Sequence, residues 1–154
     1  MNAFLYKLIG KFLKLYWKIV KPFSIGVRAI IINENNEILL VQHTNANQWY
    51  LPGGGVHKKE HLIDALKREL REELSLKINT TPTLLGNYAN FFESKNDFIS
   101  IFVIKDFTLN KFKENDEIDK WQFFNFDQLP ERTSVGTQKR IDEYLNIKDI
   151  DYRW

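Results

Sequence analysis

A proline and three glycines stand directly before a stretch with the pattern of a helix, and this junction constrains the fold more than any other part of the chain. Residues 51–76 read LPGGGVHKKEHLIDALKRELREELSL. The segment PGGG cannot continue a regular strand or helix, because glycine favours irregular backbone and proline lacks a backbone donor. From His61 to Leu74, one helical stripe is aliphatic and predicts the buried face: Ile63, Leu66, Leu70 and Leu74. The sequence therefore predicts a glycine loop that leads into an amphipathic helix.

Three glutamates of this helix, Glu69, Glu72 and Glu73, fall on a second arc beside the buried stripe. Their spacing brings the carboxylates close together near the helix C-terminus, where negative charge is unfavourable. Two interpretations stay open. Arg68 and Arg71 neutralise a solvated face, for example by pairing Arg68 with Glu72, or a hard divalent cation such as Mg²⁺ or Mn²⁺ binds the carboxylates. The glycine loop favours the second, because its backbone can approach a metal or a phosphate closely.

The pattern on either side of the helix predicts strands. Residues 24–44 contain two aliphatic runs separated by ENNE, which predicts a β-hairpin with left-handed Asn35 or Asn36 in its turn. Further strands are predicted around TLLGNYANFF, FISIFVIKDF and KWQFFNF, and a C-terminal helix after an N-cap at Ser134. This order predicts an α/β/α sandwich, an α+β fold with a mixed β-sheet between helices.

The first 21 residues differ in composition from the rest of the chain. They contain no acidic residue, and their five lysines are Lys7, Lys11, Lys14, Lys18 and Lys21. On a helix these lysines share one stripe and apolar residues cover most of the remainder, which predicts a basic amphipathic helix that ends at Pro22. We therefore expect an N-terminal helix over residues 1–21 and one domain over residues 22–154. The helix either docks on its own domain or on a second copy in a homo-oligomer, lies on an anionic membrane surface, or serves in targeting.

Composition limits the classes of function. The 154 residues suffice for one domain with a core. The net charge of +2 is too small to indicate nucleic-acid binding, so we expect no nucleic-acid partner. The chain has no cysteine, which excludes disulfides, thiolate metal sites and a cysteine nucleophile and fits a cytoplasmic protein.

The glycine loop and the helix together resemble the sequence box of the Nudix hydrolase family. That box reads Gly, five residues, Glu, seven residues, Arg-Glu, an aliphatic residue, any residue, Glu-Glu, any residue, Gly and an aliphatic residue. Here it runs from Gly54 to Leu76, and its charged positions are Glu60, Arg68, Glu69, Glu72 and Glu73. The flanking segments WYLPGG and ENDEIDKWQFF also resemble the family, in particular its MutT-like and ADP-ribose pyrophosphatase-like members.

Two positions depart from the family pattern. Ser75 stands where the box has its last glycine, and Lys59 stands where a glycine often precedes the first glutamate. The position of Ser75 is that of a helix C-cap, so we expect local strain or a shifted helix end there rather than lost chemistry.

The resemblance implies an activity, a cofactor and a set of site residues. Nudix enzymes hydrolyse the pyrophosphate bond of a nucleoside diphosphate linked to another moiety, with divalent cations bound, here Mg²⁺ or Mn²⁺. The metal ligands that carry over are the carboxylates of Glu69, Glu72 and Glu73 and the carbonyl of Gly53. Glu69 or Glu73 is the implied general base, and Arg68 and Glu60 support the site from outside it.

Four positions are candidates for contact with the substrate: Arg28, Gly54, Gly55 and Glu117. Arg28, on the first strand, either binds a phosphate or pairs with an acid, and the two glycines let the backbone approach the ligand. Glu117, or Asp119 nearby, either supplies a ligand or base or is a solvated loop acid. The expected substrate is a small nucleotide, of nucleoside triphosphate or ADP-ribose type. The alternative is a catalytically silent module of the same fold that binds a nucleotide.

Four aromatic residues could stack on a nucleobase: Trp49, Phe91, Phe92 and Trp121. Aromatic residues at strand ends are more often part of the core, and both interpretations stay open at this stage.

Overall fold

The computed structural model describes residues 23–91, 96–111 and 116–154. Its strands are β1 (Phe23–Ile31), β2 (Ile38–His43), β3 (Trp49–Tyr50), β4 (Leu76–Ile78), β5 (Thr83–Asn90), β6 (Asn96–Ile104), β7 (Phe107–Leu109) and β8 (Ile118–Phe124). Its helices are α1 (Leu62–Leu74) and α2 (Val135–Tyr144). The predicted N-terminal helix and Phe92 lie outside the described residues. Within the described residues, no helix is both long and apolar enough to cross a membrane.

The strands pair in both directions. Strand β6 pairs in parallel with β1 and antiparallel with β5, while β2 pairs antiparallel with β3 and β8. The short strands β4 and β7 form an antiparallel pair of their own. A parallel pair needs a long crossover connection, and the chain between β1 and β6 includes α1. The predicted mixed sheet is confirmed.

The predicted hairpin of β1 and β2 is wrong in its pairing. One antiparallel bridge joins Ile32 to Ile38 beside the turn, and Asn36 has the predicted left-handed conformation, with a φ of 60°. Beyond that bridge, β1 leaves β2 because its backbone bonds to the glycine loop instead. The N–H groups of Val27 and Ala29 donate to the carbonyls of residues 54 and 52, each at 2.9 Å.

Strands β1 and β2 belong to two different three-stranded sheets, β1-β6-β5 and β3-β2-β8, and alternation along both strands builds one apolar core on each side of them. One core joins Val27, Ala29, Ile31, Leu39 and Val41 to Ala65, Leu66, Leu70 and Leu74 of α1. The other joins Ile30, Ile32, Ile38 and Leu40 to Ile141 of α2. Successive strand residues face opposite sides of a sheet, so each side carries one helix. The predicted α/β/α sandwich is confirmed.

Helix α1 buries the predicted stripe and ends at the predicted place. Leu66, Leu70 and Leu74 have no exposed surface. The C-cap Ser75 has a φ of 54°, and its N–H donates to the carbonyl of Arg71 at 3.0 Å. Lys59 is also left-handed, with a φ of 63°. Both departures from the family box therefore fall at left-handed positions, where a residue with a Cβ is disfavoured by about 1–2 kcal/mol. The strain predicted at Ser75 is present without a shift of the helix end.

Helix α2 begins at the predicted N-cap and carries a buried charge. The side chain of Ser134 accepts a hydrogen bond of 3.2 Å from the N–H of Thr137. Arg140 is fully buried, with its guanidinium carbon 3.9 Å from the centroid of the Tyr88 ring and a hydrogen bond of 2.9 Å to Glu143. A buried guanidinium needs such partners, because an uncompensated charge is costly.

The C-terminal residues extend the edge of β5. The N–H of Ala89 donates to the carbonyl of Tyr152 at 2.8 Å, and the N–H of Trp154 donates back to Ala89 at 2.9 Å. Arg140 donates to the carbonyl of Asp151 at 3.3 Å. The indole of Trp154 fills the space above residue 136, a glycine, where an added Cβ would lie 2.9 Å from the ring. The end of the chain thus packs over helix α2 and covers the edge of β5.

Candidate active site

The glycine loop is held against β1 by backbone hydrogen bonds. Besides the two bonds from β1 to residues 52 and 54, the N–H of Val56 donates to Ile25 at 2.8 Å. Gly53 has a φ of 126°, and a Cβ at this position would overlap the carbonyl of Val27. Only glycine fits there, because the backbone conformation and the close approach both exclude a side chain. The loop therefore holds its backbone at a fixed place between β1 and α1.

Glu73 of α1 is bonded to this loop. Its carboxylate accepts a hydrogen bond of 2.8 Å from the N–H of Gly53, and the residue is 2% exposed. Burial raises the pKa of Glu73 to about 7, against the lowering effects of the Gly53 hydrogen bond and of Arg28, and the negative charges of Glu69 and Glu117 raise it further. Four charged side chains from three different elements therefore act on one another at this point.

Glu69 lies one helical turn before Glu73 and faces the next glycine of the loop. A Cβ at Gly54 would overlap the carboxylate of Glu69. The second glycine thus leaves room for this side chain, just as the first permits the bond to Glu73. The side chain of Glu69 is 12% exposed. The predicted association of Glu69 and Glu73 with the glycine loop is seen directly.

Arg68 links the carboxylates around it to the loop. Its Nε and Nη2 bond to the two oxygens of Glu60 at 2.8 and 2.9 Å, and its Nη1 bonds to Glu69 at 2.7 Å. Nη2 also donates to the carbonyl of Gly55 at 2.8 Å. These bonds lower the pKa of Glu60 to about 2 and raise that of Arg68, with the Arg68–Glu60 hydrogen bonds as the largest cause in both residues. The supporting arrangement expected for Arg68 and Glu60 is present.

Glu72 does not converge with the other two glutamates. Its side chain is 54% exposed, and it lies 3.4 Å from Nη1 of Arg68. In residues 23–91, 96–111 and 116–154, no three histidine or acidic side chains are grouped closely enough to form a ready metal site. The structure therefore does not bring the three carboxylates to one point, because Arg68 binds both Glu69 and Glu72. A cation site formed by all three stays a prediction.

The donor set nevertheless suits a hard divalent cation. Carboxylate and carbonyl oxygens are the ligands that Mg²⁺ prefers, and Glu69, Glu72, Glu73 and the backbone of Gly53 supply them from one loop and one face of α1. The mutual repulsion of Glu69 and Glu73 is relieved by a cation. Glu69, Glu72 and Glu73 would hold such a cation, while Arg68 has its own paired bonds to Glu60.

Arg28 reaches the site from strand β1, and Glu117 reaches it from the loop directly before β8. Arg28 of β1 is attracted by the carboxylates of Glu73 and Glu69, and the charge of Glu117 acts on Glu73. Both predicted substrate contacts thus lie at the same cluster of charges. Asp119, the alternative to Glu117, is half-exposed and lies 3.7 Å from its neighbour Lys120.

His43 is a residue near the site that the sequence did not indicate. It lies at the end of β2, beside a register shift in the β2–β8 pairing. Burial and the charge of Arg28 lower the pKa of His43, while a hydrogen bond to the backbone of Glu117 and the charge of Glu117 raise it. No pattern in the sequence indicates the register shift in the β2–β8 pairing. The direction in which the side chain of His43 points could therefore not be predicted.

The aromatic candidates separate into core and surface. Trp49 packs edge-on against Phe124, at 5.0 Å between ring centroids, and Trp121 packs against the core below α1. Phe91 is 61% exposed and contacts the ring of Phe98. Trp49 and Trp121 therefore belong to the core.

Comparison with known proteins shows which family the chain resembles. The model of the NUDIX domain matches residues 22–145. An ADP-ribose pyrophosphatase from Methanocaldococcus jannaschii is 32% identical over 123 residues, which cover 77% of this chain and 72% of that protein. An RNA pyrophosphohydrolase from Pelagibacter ubique is 36% identical over 152 residues, which cover 86% of this chain and 93% of that protein.

A solved structure extends the likeness to the fold. The MutT protein from Methanosarcina mazei Go1 superposes with a TM-score of 0.70 at 24% identity, over 84% of this chain and 98% of that one. The resemblance inferred from the glycine loop and the helix is therefore confirmed. The chain belongs to the Nudix family and is one of its pyrophosphohydrolases.

Proposed function

We propose that this protein hydrolyses the pyrophosphate bond of a nucleoside diphosphate linked to another moiety, with Mg²⁺ or Mn²⁺ as cofactor. The proposed substrate is a nucleoside triphosphate or a compound of the ADP-ribose type. One relative is named ADP-ribose pyrophosphatase and another RNA pyrophosphohydrolase, so a diphosphate linkage is common to the substrates that these names imply.

One observation carries this proposal: two glutamates of α1 lie directly on a glycine loop. Glu73 bonds to the N–H of Gly53 at 2.8 Å, and the carboxylate of Glu69 occupies the space where Gly54 lacks a side chain. A solvated helical face gains nothing from burying a carboxylate to 2% exposure beside another. The arrangement is therefore better explained by a ligand than by surface charge.

Each residue has a proposed role. Glu69, Glu72, Glu73 and the Gly53 carbonyl would hold the cation, which would screen the negative charge of the diphosphate and polarise its P–O bonds. Glu69 or Glu73 would accept the proton of the attacking water. Arg68, fixed by Glu60, would position Glu69, and such a supporting contact is typically worth 10- to 100-fold in activity or metal affinity. Arg28, Gly54, Gly55 and Glu117 would line the diphosphate.

The domain limits, the contacts of the N-terminal segment and the location of the protein in the cell are also proposals. We propose residues 22–154 as the hydrolase domain, residues 1–21 as a separate amphipathic helix that contacts a membrane surface or a second copy, and the cytoplasm as the location.

The test is a screen of the purified chain against a panel of diphosphate compounds, with Mg²⁺, Mn²⁺ or a chelator. The panel holds nucleoside triphosphates, ADP-ribose, other nucleoside diphosphate sugars, and an RNA with a terminal pyrophosphate linkage. We expect cation-dependent release of a nucleoside monophosphate or of pyrophosphate from at least one compound. Glu69→Gln should abolish that release, while Glu131→Gln, at an exposed position, should not.

The alternative is a nucleotide-binding module without turnover. It predicts saturable binding of a panel compound with no product after prolonged incubation. All the acidic positions of the family box are present in this chain, which favours the enzyme. Binding without product across the whole panel, with either cation, would favour the module.

A further inference from the structure

Arg28 lies against the glycine loop at the centre of the candidate site. Its neighbours in β1 donate their N–H groups to the carbonyls of Gly54 and Pro52, each at 2.9 Å. A Cβ at Gly53 would come within 3.1 Å of the Cα of Arg28. The residue is therefore separated from the glutamates of α1 by the thickness of a single loop backbone.

The two carboxylates whose charges act on Arg28 accept hydrogen bonds from other donors. Glu73 accepts a bond from the N–H of Gly53 at 2.8 Å, and Glu69 accepts one from Arg68 at 2.7 Å. Both attract the guanidinium of Arg28 through space. The charge of Arg28 is thus compensated at a distance, without the paired contact that arginine makes with a carboxylate in an ion pair.

The Nη1 atom of Arg28 is buried and has no hydrogen-bond acceptor. A buried donor without a partner is destabilising, and more so when it is charged, because it has lost its hydrogen bonds to water. Arginine keeps its proton even where burial lowers its pKa. His43, which lies close enough for the charge of Arg28 to lower its pKa, does not supply the acceptor. Nη1 of Arg28 is thus a buried donor without an acceptor, in a site that contains both positive and negative side chains. An acceptor from a bound ligand would satisfy it.

We propose that Nη1 of Arg28 donates a hydrogen bond directly to an anionic oxygen of the substrate's diphosphate. The inference rests on the proposed function, because it assumes that a diphosphate enters the cluster of Glu69 and Glu73. The oxygen supplies the missing acceptor and brings a negative charge to a buried cation. The substrate is then held from two sides, by the carboxylate face of α1 through its cation and by Arg28 from β1.

A purely structural role for Arg28 makes a different prediction. As a counter-charge for Glu73, Arg28 would affect stability and the affinity for the cation but not the affinity for a phosphate compound. The decisive readout is therefore ligand binding without turnover.

The experiment is isothermal titration of the full-length protein with methylenediphosphonate, a diphosphate analogue that is not hydrolysed, at saturating Mg²⁺. We expect Arg28→Met to weaken binding by about 10- to 100-fold, the effect of losing one hydrogen bond to a charged group. Arg28→Lys keeps the charge without the planar fork and should weaken binding by a smaller factor. Arg71→Met, which removes the same charge from the exposed face of α1, should leave binding unchanged.

Binding of Mn²⁺ alone, measured by electron paramagnetic resonance, separates this inference from the proposed function. Arg28→Met should bind Mn²⁺ at least as tightly as the wild type, because a nearby positive charge is removed. If no panel compound is hydrolysed while methylenediphosphonate binding still depends on Arg28, the inference stands and the proposed activity fails. If Arg28→Met and Arg28→Lys both bind the analogue as tightly as the wild type, the inference is wrong. Should Arg28→Met fail to fold, unchanged binding by Arg28→Lys would be sufficient to reject it.

Discussion

The N–H of Gly53 donates a hydrogen bond of 2.8 Å to the carboxylate of Glu73, twenty residues further along the chain. This bond joins the loop to the helix at the point where Glu69 and Arg28 also act on Glu73. The glycine loop and the acidic helix therefore form one unit, in which the backbone of the loop fixes where the carboxylates lie.

The three glycines of the loop should respond differently to alanine. At Gly54 the three atoms nearest the new methyl group would all belong to the carboxylate of Glu69. Because that side chain can turn aside, we expect Gly54→Ala to fold and to lose most activity. At Gly55 no atom lies within 4 Å of an added Cβ, so Gly55→Ala is the matched control for stability, and any loss of its turnover would report the contact proposed between this position and the diphosphate. Thermal unfolding and turnover on the best panel substrate check both variants.

Gly53→Ala completes the series, and unlike Gly54→Ala it should reduce the stability of the fold. Its methyl group would overlap backbone at Val27, and its φ is 126°, so we expect a loss of at least about 1–3 kcal/mol in the free energy of unfolding. Wild-type activity of Gly54→Ala would show that the position of Glu69 does not matter for turnover.

The free energy of unfolding should depend on pH at acid pH because of the ionisation of Glu60. Arg68 holds the pKa of Glu60 at about 2 in the folded state, below the value of 4.5 for an unperturbed glutamate. A depressed carboxyl pKa contributes stability that is fully present above pH 4.5 and is lost as the pH falls towards 2. We therefore expect Glu60→Gln to be less stable than the wild type above pH 5, with the difference shrinking below pH 4.

Urea denaturation at a series of pH values between 2.5 and 6 measures this difference. The control is Glu131→Gln, which removes an exposed carboxylate and should give a nearly constant difference over the same range. If the Glu60→Gln difference grew towards low pH, the account of the Glu60–Arg68 pair would be wrong.

Sequence periodicity predicted the helices and strands well where local patterns decide the structure. The buried stripe of α1 and the N-cap Ser134 follow from helical spacing and capping chemistry. The pairing of β1 with the glycine loop and β6 could not be read in the same way, because strand partners are chosen by tertiary packing. A simple turn such as ENNE indicates a hairpin although the two strands separate after one bridge at Ile32.

In the candidate site, too, some features follow from local sequence and others depend on tertiary packing. Glu69, Glu73 and the glycines were predicted from spacing and from the family box, since both depend on local sequence. That Arg68 would draw Glu69 and Glu72 away from a common point, and that His43 would lie beside Arg28, depends on distances between elements. A linear pattern contains no such distances.

Two substitutions to glycine should stabilise the protein. Ser75 and Lys59 have φ values of 54° and 63°, where glycine is free of the Cβ penalty. Glycine also gains freedom in the unfolded chain, which offsets part of the benefit. We expect Ser75→Gly and Lys59→Gly each to add up to about 1 kcal/mol to the free energy of unfolding. Asn36→Gly is the control: its φ is 60°, but asparagine tolerates this region, so its gain should be clearly smaller.

The C-terminal tryptophan should contribute to stability out of proportion to its position at the end of the chain. Trp154 packs above Gly136 and is bonded to Ala89 at 2.9 Å. We expect Trp154→Ala to reduce the free energy of unfolding by about 1–3 kcal/mol, less than for a fully buried tryptophan. Tyr152→Ala, at a residue that is 67% exposed, should change it by less than about 0.5 kcal/mol. Equal effects of the two substitutions in urea denaturation would contradict the packing described for Trp154.

The central claim is that the carboxylates of α1 hold a divalent cation that hydrolysis requires. The most direct measurement follows Mn²⁺ binding by electron paramagnetic resonance, together with turnover, in the wild type, Glu73→Gln and Glu131→Gln. The glutamine oxygen of Glu73→Gln can still accept the bond from Gly53, so the fold should persist. We predict that Glu73→Gln lowers Mn²⁺ affinity at least tenfold and turnover by about 100-fold or more, with Glu131→Gln unchanged in both. Full turnover after removal of all divalent cations by a chelator, or wild-type Mn²⁺ binding and turnover in Glu73→Gln, would contradict the claim.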